Sequence, residues 1–467
     1  MTGFRAFTAW VAAVALALTG AANAQPAPPW TPPTDAAIHD ILVQRIDTDH
    51  QGVGIVVGVI DAKGRRIIAY GARKAGDPHP LDGDTLFEIG SMTKVFTSLL
   101  LSEAVQRGEV KLDDPVVKYL PAGTHVPELG GRQITLIDLA THTSGLPRLP
   151  GNLSMKDPGN PYADYTETQL YQFLAGYTLP REIGEKYEYS NLGAGLLGNA
   201  LSRRAGQGYE ALVRRDVLAP LHMDSTTVTL SPALAARMAT GHSPGLTPVP
   251  NWDIPALAGA GALRSDANDL LTFLAAELGY TRTPLKAAVD AQWKPRRPTG
   301  MPKTEVSLGW HTRQTPTGEV IWHNGGTGGF RTFMGFDPKG GFGIVVLTNA
   351  ATTSGADDIG FHLLTGAPLT AQPKPHVAIH LDAAVLDAFV GHYKLSEQGA
   401  LDITRQDDHL FAQITGQGAY EIYPEGPKDF FWKVVDAQLT FQTGPDGKAS
   451  AAILHQGGAN LFAARTP

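Results

Sequence analysis

The sequence of 467 residues contains no cysteine. This absence excludes disulfide bonds, a cysteine nucleophile, thiolate metal sites and a lipid anchor attached to cysteine. Basic residues are not in excess either, because the sequence has 38 Lys and Arg residues and 45 Asp and Glu residues. The basic residues are spread along the chain and form no basic patch. We therefore expect no nucleic-acid partner and no polybasic membrane anchor. The H-E-x-x-H motif of zinc peptidases is also missing, and we expect neither a metal nor an organic cofactor.

No apolar run is long enough to serve as a stop-transfer helix, and one short run lies at the N-terminus. Arg5 supplies a positive charge, residues 7–18 are apolar, and Ala22-Asn23-Ala24 fits the small-residue pattern of a cleavage site. We predict a signal peptide over residues 1–24 and no membrane anchor. An exported chain without disulfides is typical of a bacterial periplasm, so we expect a periplasmic or secreted protein.

The remaining chain is long and apolar enough for two domains. Its hydrophobic content is 43% and its charged content is 18%, while a single core rarely grows beyond about 250–300 residues. We predict a first domain over residues 25–366, a proline-containing linker over 367–378 and a second domain over 379–467.

The first domain has strand patterns at both ends and helical patterns between them. A β-hairpin is predicted over residues 54–70, and glycine-rich turns join late strands at 319–323, 330–336 and 342–347. This order predicts an α+β fold in which one antiparallel sheet, closed by the two ends of the domain, lies beside a helical lobe. The middle helices are predicted near residues 137–140, 168–174, 192–204, 209–217 and 266–278.

The second domain has a different pattern. Short alternating strands recur at even spacing with turn residues between them, which predicts a small all-β barrel or sandwich. These strands are predicted at residues 401–404, 410–414, 420–423, 430–433, 438–441, 452–455 and 461–463.

Ser91 and Lys94 form the most informative pair in the sequence. They stand at the predicted start of a buried helix over residues 95–105, with Gly108 at its C-terminal cap. Residues at this spacing share a helix face, and the helix N-terminus favours a developing anion. Apolar surroundings also make the lysine easier to deprotonate. The pair indicates a serine acyl-transfer enzyme, and the alternative is an N-cap serine with a surface lysine.

Two further segments offer groups that such an enzyme needs. In Tyr189-Ser190-Asn191, the phenol could act as a base if an ammonium lowered its pKa. The Asn191 amide both donates and accepts, which suits a peptide-like substrate. Four glycines in residues 323–330 let a substrate backbone approach closely. Each segment also has a structural alternative, which is an N-cap for residues 189–191 and a strand turn for residues 323–330. A third stretch, residues 141–147, shows no clear chemistry, and we interpret it as structural.

Together these segments resemble the class C β-lactamase and penicillin-binding family of serine hydrolases, over roughly residues 35–365. The family includes D-aminopeptidases, D-Ala-D-Ala carboxypeptidases and carboxylesterases. The last hundred residues are similar to the lipocalin-like C-terminal domain of some of these peptidases. The resemblance implies a β-lactamase/transpeptidase-like fold with a lipocalin-like barrel. The motifs that carry it lie at residues 87–94, 112–115, 119–121, 141–147, 189–191 and 327–330.

The resemblance also implies roles for individual residues. Ser91 would attack the carbonyl carbon and form an acyl-enzyme. Lys94 and Tyr189 would handle the proton, with Tyr189 as the expected base, although which of the two deprotonates Ser91 stays open. Asn191 would hold the substrate amide. The N–H groups of Ser91 and Gly326 would form the oxyanion hole.

One motif departs from the family pattern. Where β-lactamases of the family have Lys-Thr-Gly, this chain has His323-Asn324-Gly325, which we expect to contact the substrate. Histidine is mostly neutral at pH 7 and attracts a carboxylate only weakly. We therefore expect a small-molecule or peptide substrate. Peptides that contain D-amino acids are preferred over β-lactams and small esters in this prediction. The non-enzymatic alternative is a penicillin-binding sensor or envelope-binding module, and the sequence leaves the oligomeric state open.

Overall fold

The computed structural model describes residues 30–466 apart from positions 78, 353, 371–375, 377, 396–398, 416–417, 434–436 and 457–458. The predicted signal peptide lies outside the described residues, and so does half of the predicted linker. Within the described part, no helix combines the length and the apolar character that crossing a bilayer requires.

The helices lie between the early and late strands of the first domain, with one before, one after and one in the second domain. Their bounds are α1 Asp35–Val43, α2 Thr93–Gln106, α3 Leu136–Ala140, α4 Glu167–Gly176, α5 Asn191–Ala205, α6 Tyr209–Val213, α7 Pro232–Ala235, α8 Ala258–Gly261, α9 Ala267–Glu277, α10 Lys286–Gln292, α11 Asp357–Thr365 and α12 Ala383–Leu386.

The strands of the first domain include a large sheet and three short pairs. Their bounds are β1 Gly54–Asp61, β2 Gly64–Gly71, β3 Phe87–Glu88, β4 Glu128–Leu129, β5 Arg132–Gln133, β6 Gly241–His242, β7 Pro248–Val249, β8 Arg264–Ser265, β9 Arg297–Pro298, β10 Thr304–Val306, β11 His311–Thr315, β12 Gly318–Gly326, β13 Arg331–Asp337 and β14 Phe342–Thr348.

The large sheet is antiparallel and has the strand order β2-β1-β14-β13-β12-β11-β10-β9. The early strand β1 pairs with the late strand β14, with Val57 opposite Val346. The two ends of the domain therefore close one sheet, as the sequence predicted. Alternate residues of β1 enter different cores, because strand side chains point to opposite faces. Val56 packs with the helical lobe, and Val57 packs with α1 and α11.

The helical lobe is held together by close packing of small residues. A Cβ on Gly198 of α5 would lie 2.9 Å from the Cα of Gly259 in α8, so the two helices approach each other nearly backbone to backbone. Thr97 of α2 donates a hydrogen bond to the carbonyl oxygen of Gly259 at 2.8 Å. These contacts fix α2, α5 and α8 against one another.

The second domain is a closed antiparallel barrel in which β15 pairs with β22, which confirms the predicted barrel. Its first strand was not predicted from the sequence, because only Tyr393 of that strand is buried and the alternation is too short to recognise. Aromatic and aliphatic side chains fill its core. The strand bounds are β15 Gly391–Lys394, β16 Ala400–Gln406, β17 His409–Ile414, β18 Ala419–Pro424, β19 Asp429–Trp432, β20 Ala437–Thr443, β21 Ala449–Gln456 and β22 Ala459–Thr466.

Candidate active site

Ser91 lies in a tight 3-10 turn, Gly90–Met92, that leads directly into α2. Gly90 has a φ of +50°, and a Cβ there would lie 2.7 Å from the amide nitrogen of Gly326, so only glycine fits. The carbonyl oxygen of Ile89 accepts a hydrogen bond from the Thr332 hydroxyl at 3.0 Å. The turn is therefore clamped against β12 and β13, and the half-buried Ser91 faces the cleft.

Lys94 is buried, and its ammonium nitrogen contacts three oxygens. Nζ lies 3.0 Å from Ser91 Oγ, 2.8 Å from Asn191 Oδ1 and 2.6 Å from the carbonyl oxygen of Ala260. Burial lowers the pKa of Lys94 well below its ordinary value, and the charge of Arg148 lowers it further. The spacing in sequence correctly predicted that Ser91 and Lys94 meet.

Tyr189 immediately precedes the N-cap of α5, where Ser190 Oγ accepts the N–H of Gly193 at 2.8 Å. The Lys94 Nζ lies 4.9 Å from the centroid of the Tyr189 ring. Burial raises the pKa of the Tyr189 phenol, and a hydrogen bond with Ser91 opposes this only in part. A lowered pKa was expected only if an ammonium stabilised the phenolate. The opposite shift occurs because desolvation of the phenolate outweighs the charge of Arg148.

Asn191 is the first residue of α5 and lines the cleft. Its Oδ1 accepts from Lys94, and a hydrogen bond joins its side chain to the Tyr162 phenol. The amide thus bridges the buried lysine and the wall of the cleft. Ser91, Lys94, Tyr189 and Asn191 form one cluster.

The end of β12 contributes backbone to the same cleft. A Cβ on Gly325 would lie 2.0 Å from the carbonyl oxygen of Ile89, so this glycine lets the strand touch the Ser91 turn. Gly326 lines the cleft beside Ser91. The side chain of Asn324 is not directed there, since its Nδ2 donates to Asp357 Oδ2 on α11 at 2.5 Å.

His323 is almost completely buried, with its ring centroid 6.4 Å from that of Tyr189. Its Nδ1 lies 2.6 Å from the carbonyl oxygen of Asn324. A carbonyl oxygen can only accept, so Nδ1 carries the proton and Nε2 presents a lone pair. Burial lowers the pKa of His323 well below its ordinary value, which keeps the ring neutral. His323 therefore has no N–H left to offer a substrate anion.

Comparison with known proteins identifies the family. Residues 40–367 match the family described as Beta-lactamase, and residues 375–463 match a domain of unknown function, DUF3471. The chain belongs to the β-lactamase family. It is a serine hydrolase, and enzymes of this family act through an acyl-enzyme.

Two curated relatives of this β-lactamase-family enzyme are informative. The D-alanyl-D-alanine-carboxypeptidase/endopeptidase AmpH of Escherichia coli (strain K12) is 31% identical over 355 residues, which cover 73% of this chain and 90% of the relative. Penicillin-binding protein 4* of Bacillus subtilis (strain 168) is 26% identical over 453 residues, covering 91% of this chain and 97% of the relative.

A solved structure of similar fold is the Beta-lactamase/D-alanine Carboxypeptidase from Yersinia pestis complexed with citrate. It is 29% identical and superimposes with a TM-score of 0.60, covering 68% of this chain and 92% of that chain. The likeness accounts for the sheet and helical lobe of this β-lactamase-family enzyme.

His142 was interpreted only as structural, yet its ring packs on Tyr189 with 4.5 Å between centroids. Its Nδ1 accepts the backbone N–H of Ser190 at 3.1 Å, which ties the segment 141–147 to the start of α5. No sequence pattern links residues 142 and 189, because only the tertiary fold brings them together. His142 therefore positions the Tyr189 ring in this β-lactamase-family site.

The walls of the cleft were also invisible in the sequence, because they come from loops without periodicity. Tyr162 and Trp252 pack with 5.4 Å between ring centroids, and Ile254 and Leu257 extend this apolar surface. In this β-lactamase-family enzyme, Ser91 thus stands between an apolar wall and the polar backbone of β12.

Proposed function

We propose that this enzyme hydrolyses amide bonds in peptides that contain D-amino acids, through an acyl-enzyme on Ser91. The contact between Lys94 Nζ and Ser91 Oγ at 3.0 Å is the observation that carries this proposal. A relative named as a D-alanyl-D-alanine-carboxypeptidase/endopeptidase, 31% identical to this chain, supports the choice of substrate.

Lys94 is the base that activates Ser91 in the proposed mechanism. Two of its three oxygen contacts, Asn191 Oδ1 and Ala260 O, can only accept. The neutral amine gives its two N–H bonds to these oxygens and directs its lone pair to the Ser91 hydroxyl. As Ser91 Oγ forms a bond to the substrate carbonyl carbon, its proton moves to Lys94.

The carbonyl oxygen becomes an oxyanion between the N–H groups of Ser91 and Gly326. The amide C–N bond then breaks, and the proton held by Lys94 passes to the leaving nitrogen. Tyr189 stays a neutral phenol and stabilises this transfer through its hydrogen bond with Ser91. Water then attacks the acyl carbon and gives a proton to Lys94. The bond between the acyl carbon and Ser91 Oγ breaks, the proton passes from Lys94 to Ser91 Oγ, and the acid product leaves.

We further propose that the chain is exported, with a signal peptide removed after Ala24. The relative named as a penicillin-binding protein supports an envelope location. Intact-mass measurement of the protein purified from its native host should find Gln25 as the first residue. A mature protein that retains Met1 would contradict export by this route.

A three-substrate panel tests the function. D-Alanyl-D-alanine peptide, p-nitrophenyl butyrate and nitrocefin are compared with the same preparation, and Ser91→Ala provides the control. We expect the highest kcat/KM for the peptide and loss of all turnover in Ser91→Ala. Faster hydrolysis of nitrocefin would instead assign a β-lactamase, and a preference for the ester would assign a carboxylesterase. Stable labelling of Ser91 by a fluorescent penicillin without any turnover would favour a penicillin-binding role.

A further inference from the structure

An unpaired guanidinium stands beside the cleft. Arg148 is exposed, and its side chain forms no hydrogen bond and no ion pair with any residue that the structure describes. Its Cζ lies 5.1 Å from the centroid of the Tyr189 ring, on which the cation rests. The charge is thus held near the proposed chemistry without a partner to neutralise it.

The backbone of Arg148 is fixed even though its side chain is free. Its carbonyl oxygen accepts the N–H groups of Asn191 at 3.0 Å and Leu192 at 3.2 Å. The carbonyl oxygen of the preceding Pro147 accepts from Ser190 Oγ at 2.6 Å. The side chain therefore starts from a rigid base next to Asn191 and has its donors available.

The charge of Arg148 acts on several titratable groups around Ser91. Coulomb interaction decays with distance, so the groups that sense a charge are those around it. The positive charge of Arg148 acts to lower the pKa of each of the following groups, whatever their net shift: Lys94, His142, Tyr162, Tyr187 and Tyr189.

Among the residues that the structure describes near the cleft, we find no other cation that a ligand could use. Lys94 is buried with its pKa lowered, and His323 is neutral with its N–H directed to Asn324. Arg331 is engaged with the carbonyl oxygens of Thr327 at 2.8 Å and Phe330 at 2.9 Å. Among the described residues that line the cleft, none carries a carboxylate that could pair with Arg148.

We infer that Arg148 binds the C-terminal carboxylate of the peptide substrate, so that the enzyme selects peptides with a free C-terminus over peptides with a blocked one. This inference rests on the proposed function and specifies its substrate class. A planar guanidinium matches a carboxylate with two parallel hydrogen bonds. The face of the Tyr189 ring would hold the guanidinium in place for that contact.

A matched pair of peptides tests the inference. An acylated L-Lys-D-Ala-D-Ala and its C-terminal carboxamide differ only in the terminal charge, and the measured quantity is the ratio of their kcat/KM values. We expect Arg148→Ala to lower this ratio by about 10- to 100-fold, as expected for one charged hydrogen-bonded contact, mainly through KM for the carboxylate peptide. Arg148→Lys should retain part of the preference, because the charge remains.

Arg313 provides the matched control. It is also an exposed arginine over an aromatic ring, with its Cζ 5.6 Å from the centroid of Phe361, and it forms no ion pair with the described residues. Arg313→Ala should leave the ratio unchanged. Raising the ionic strength should reduce the preference in the wild type and have little effect in Arg148→Ala.

A binding measurement separates failure of the inference from failure of the proposed function. On the Ser91→Ala background, calorimetry should show tighter binding of the carboxylate peptide than of the carboxamide, and Arg148→Ala should remove the difference. Equal ratios in wild type and Arg148→Ala, or no measurable preference in binding, would overturn the role of Arg148. Preferential binding without hydrolysis of either peptide by the wild type would support Arg148 and reject the proposed reaction.

Discussion

Asn191 Oδ1 lies 2.8 Å from the Nζ of Lys94 and accepts a hydrogen bond from it. This oxygen carries no charge, and burial already lowers the pKa of Lys94. A carboxylate in the same place would favour the ammonium instead. The amide therefore permits the neutral amine that the proposed mechanism requires, and it does so without adding a charge to the cleft.

Asn191→Asp should raise the pKa of Lys94 and move the acidic limb of the pH profile to higher pH. A base must be deprotonated, so activity falls as pH drops through the pKa of Lys94, and a higher pKa means an earlier loss. We expect kcat/KM for p-nitrophenyl butyrate to fall at pH 7 and to recover partly at pH 9 to 10. Asn191→Ala removes the amide without adding charge, and it should lower activity without the same shift. Coinciding acidic limbs in the two variants would contradict this role.

Replacing Lys94 should impair acylation more than replacing Tyr189. The p-nitrophenolate leaving group needs no proton, so the acylation rate with this ester reports mainly on deprotonation of Ser91. We expect Lys94→Met to lower that rate by about 100- to 10,000-fold, as for loss of a general base, and Tyr189→Phe to lower it much less. Stopped-flow measurement of the p-nitrophenol burst gives the rate, and circular dichroism checks the fold. An equal loss in both variants would instead support Tyr189 as the base that deprotonates Ser91.

Gly90→Ala should strongly lower activity because the added methyl group meets the backbone of β12. Its Cβ would lie 2.7 Å from the Gly326 nitrogen and 2.8 Å from the Gly326 oxygen, and neither atom can rotate away. Displacing one oxyanion donor lowers turnover about 100- to 1000-fold. Ester turnover and thermal unfolding are measured together.

Gly108 is the control for backbone strain, because it has a φ of +70° with no heavy atom within 4 Å of an added Cβ. Gly108→Ala should cost about 1 kcal/mol of stability from its left-handed conformation and keep its activity. A Gly90→Ala enzyme as active as Gly108→Ala would refute the proposed packing of the turn on Gly326.

The sequence predicted those parts of the site that local spacing or motif order determines. Ser91 and Lys94 meet because they lie one turn apart, and Tyr189 with Asn191 was found at the start of a predictable helix. The contact of Lys94 with Ala260 and the approach of Arg148 to Tyr189 could not be predicted, because segments far apart in the sequence make them. The direction of the Tyr189 pKa shift depends on burial, which spacing does not reveal.

In the barrel, too, local patterns could be predicted from the sequence, whereas a contact between distant segments could not. Seven of its strands were predicted from alternation, while β15 was missed because it has one buried side chain, Tyr393, from which no period can be read. Closure of the barrel depends on the pairing of β15 with β22, a contact between the two ends of the domain.

Glu277 should make the stability of the protein depend on pH. Its carboxyl group is buried, accepts a hydrogen bond from Trp293 Nε1 at 2.8 Å, and burial raises its pKa from 4.5 to about 8. The native state keeps the proton that the unfolded chain loses. The stabilisation from this group is thus complete below pH 4.5 and is lost as pH rises towards 8, with a slope of about 1.4 kcal/mol per pH unit.

Glu277→Gln removes this titration while its amide oxygen can still accept from Trp293. We therefore expect the free energy of unfolding of the variant, measured relative to the wild type, to increase steadily between pH 5 and pH 8. Glu128 is an exposed glutamate on β4, and Glu128→Gln is the control for the chemical substitution itself. Urea unfolding at several pH values measures the difference for both variants. Parallel curves for Glu277→Gln and the wild type would mean that Glu277 ionises at its ordinary pKa, because the native and unfolded states would then bind protons equally.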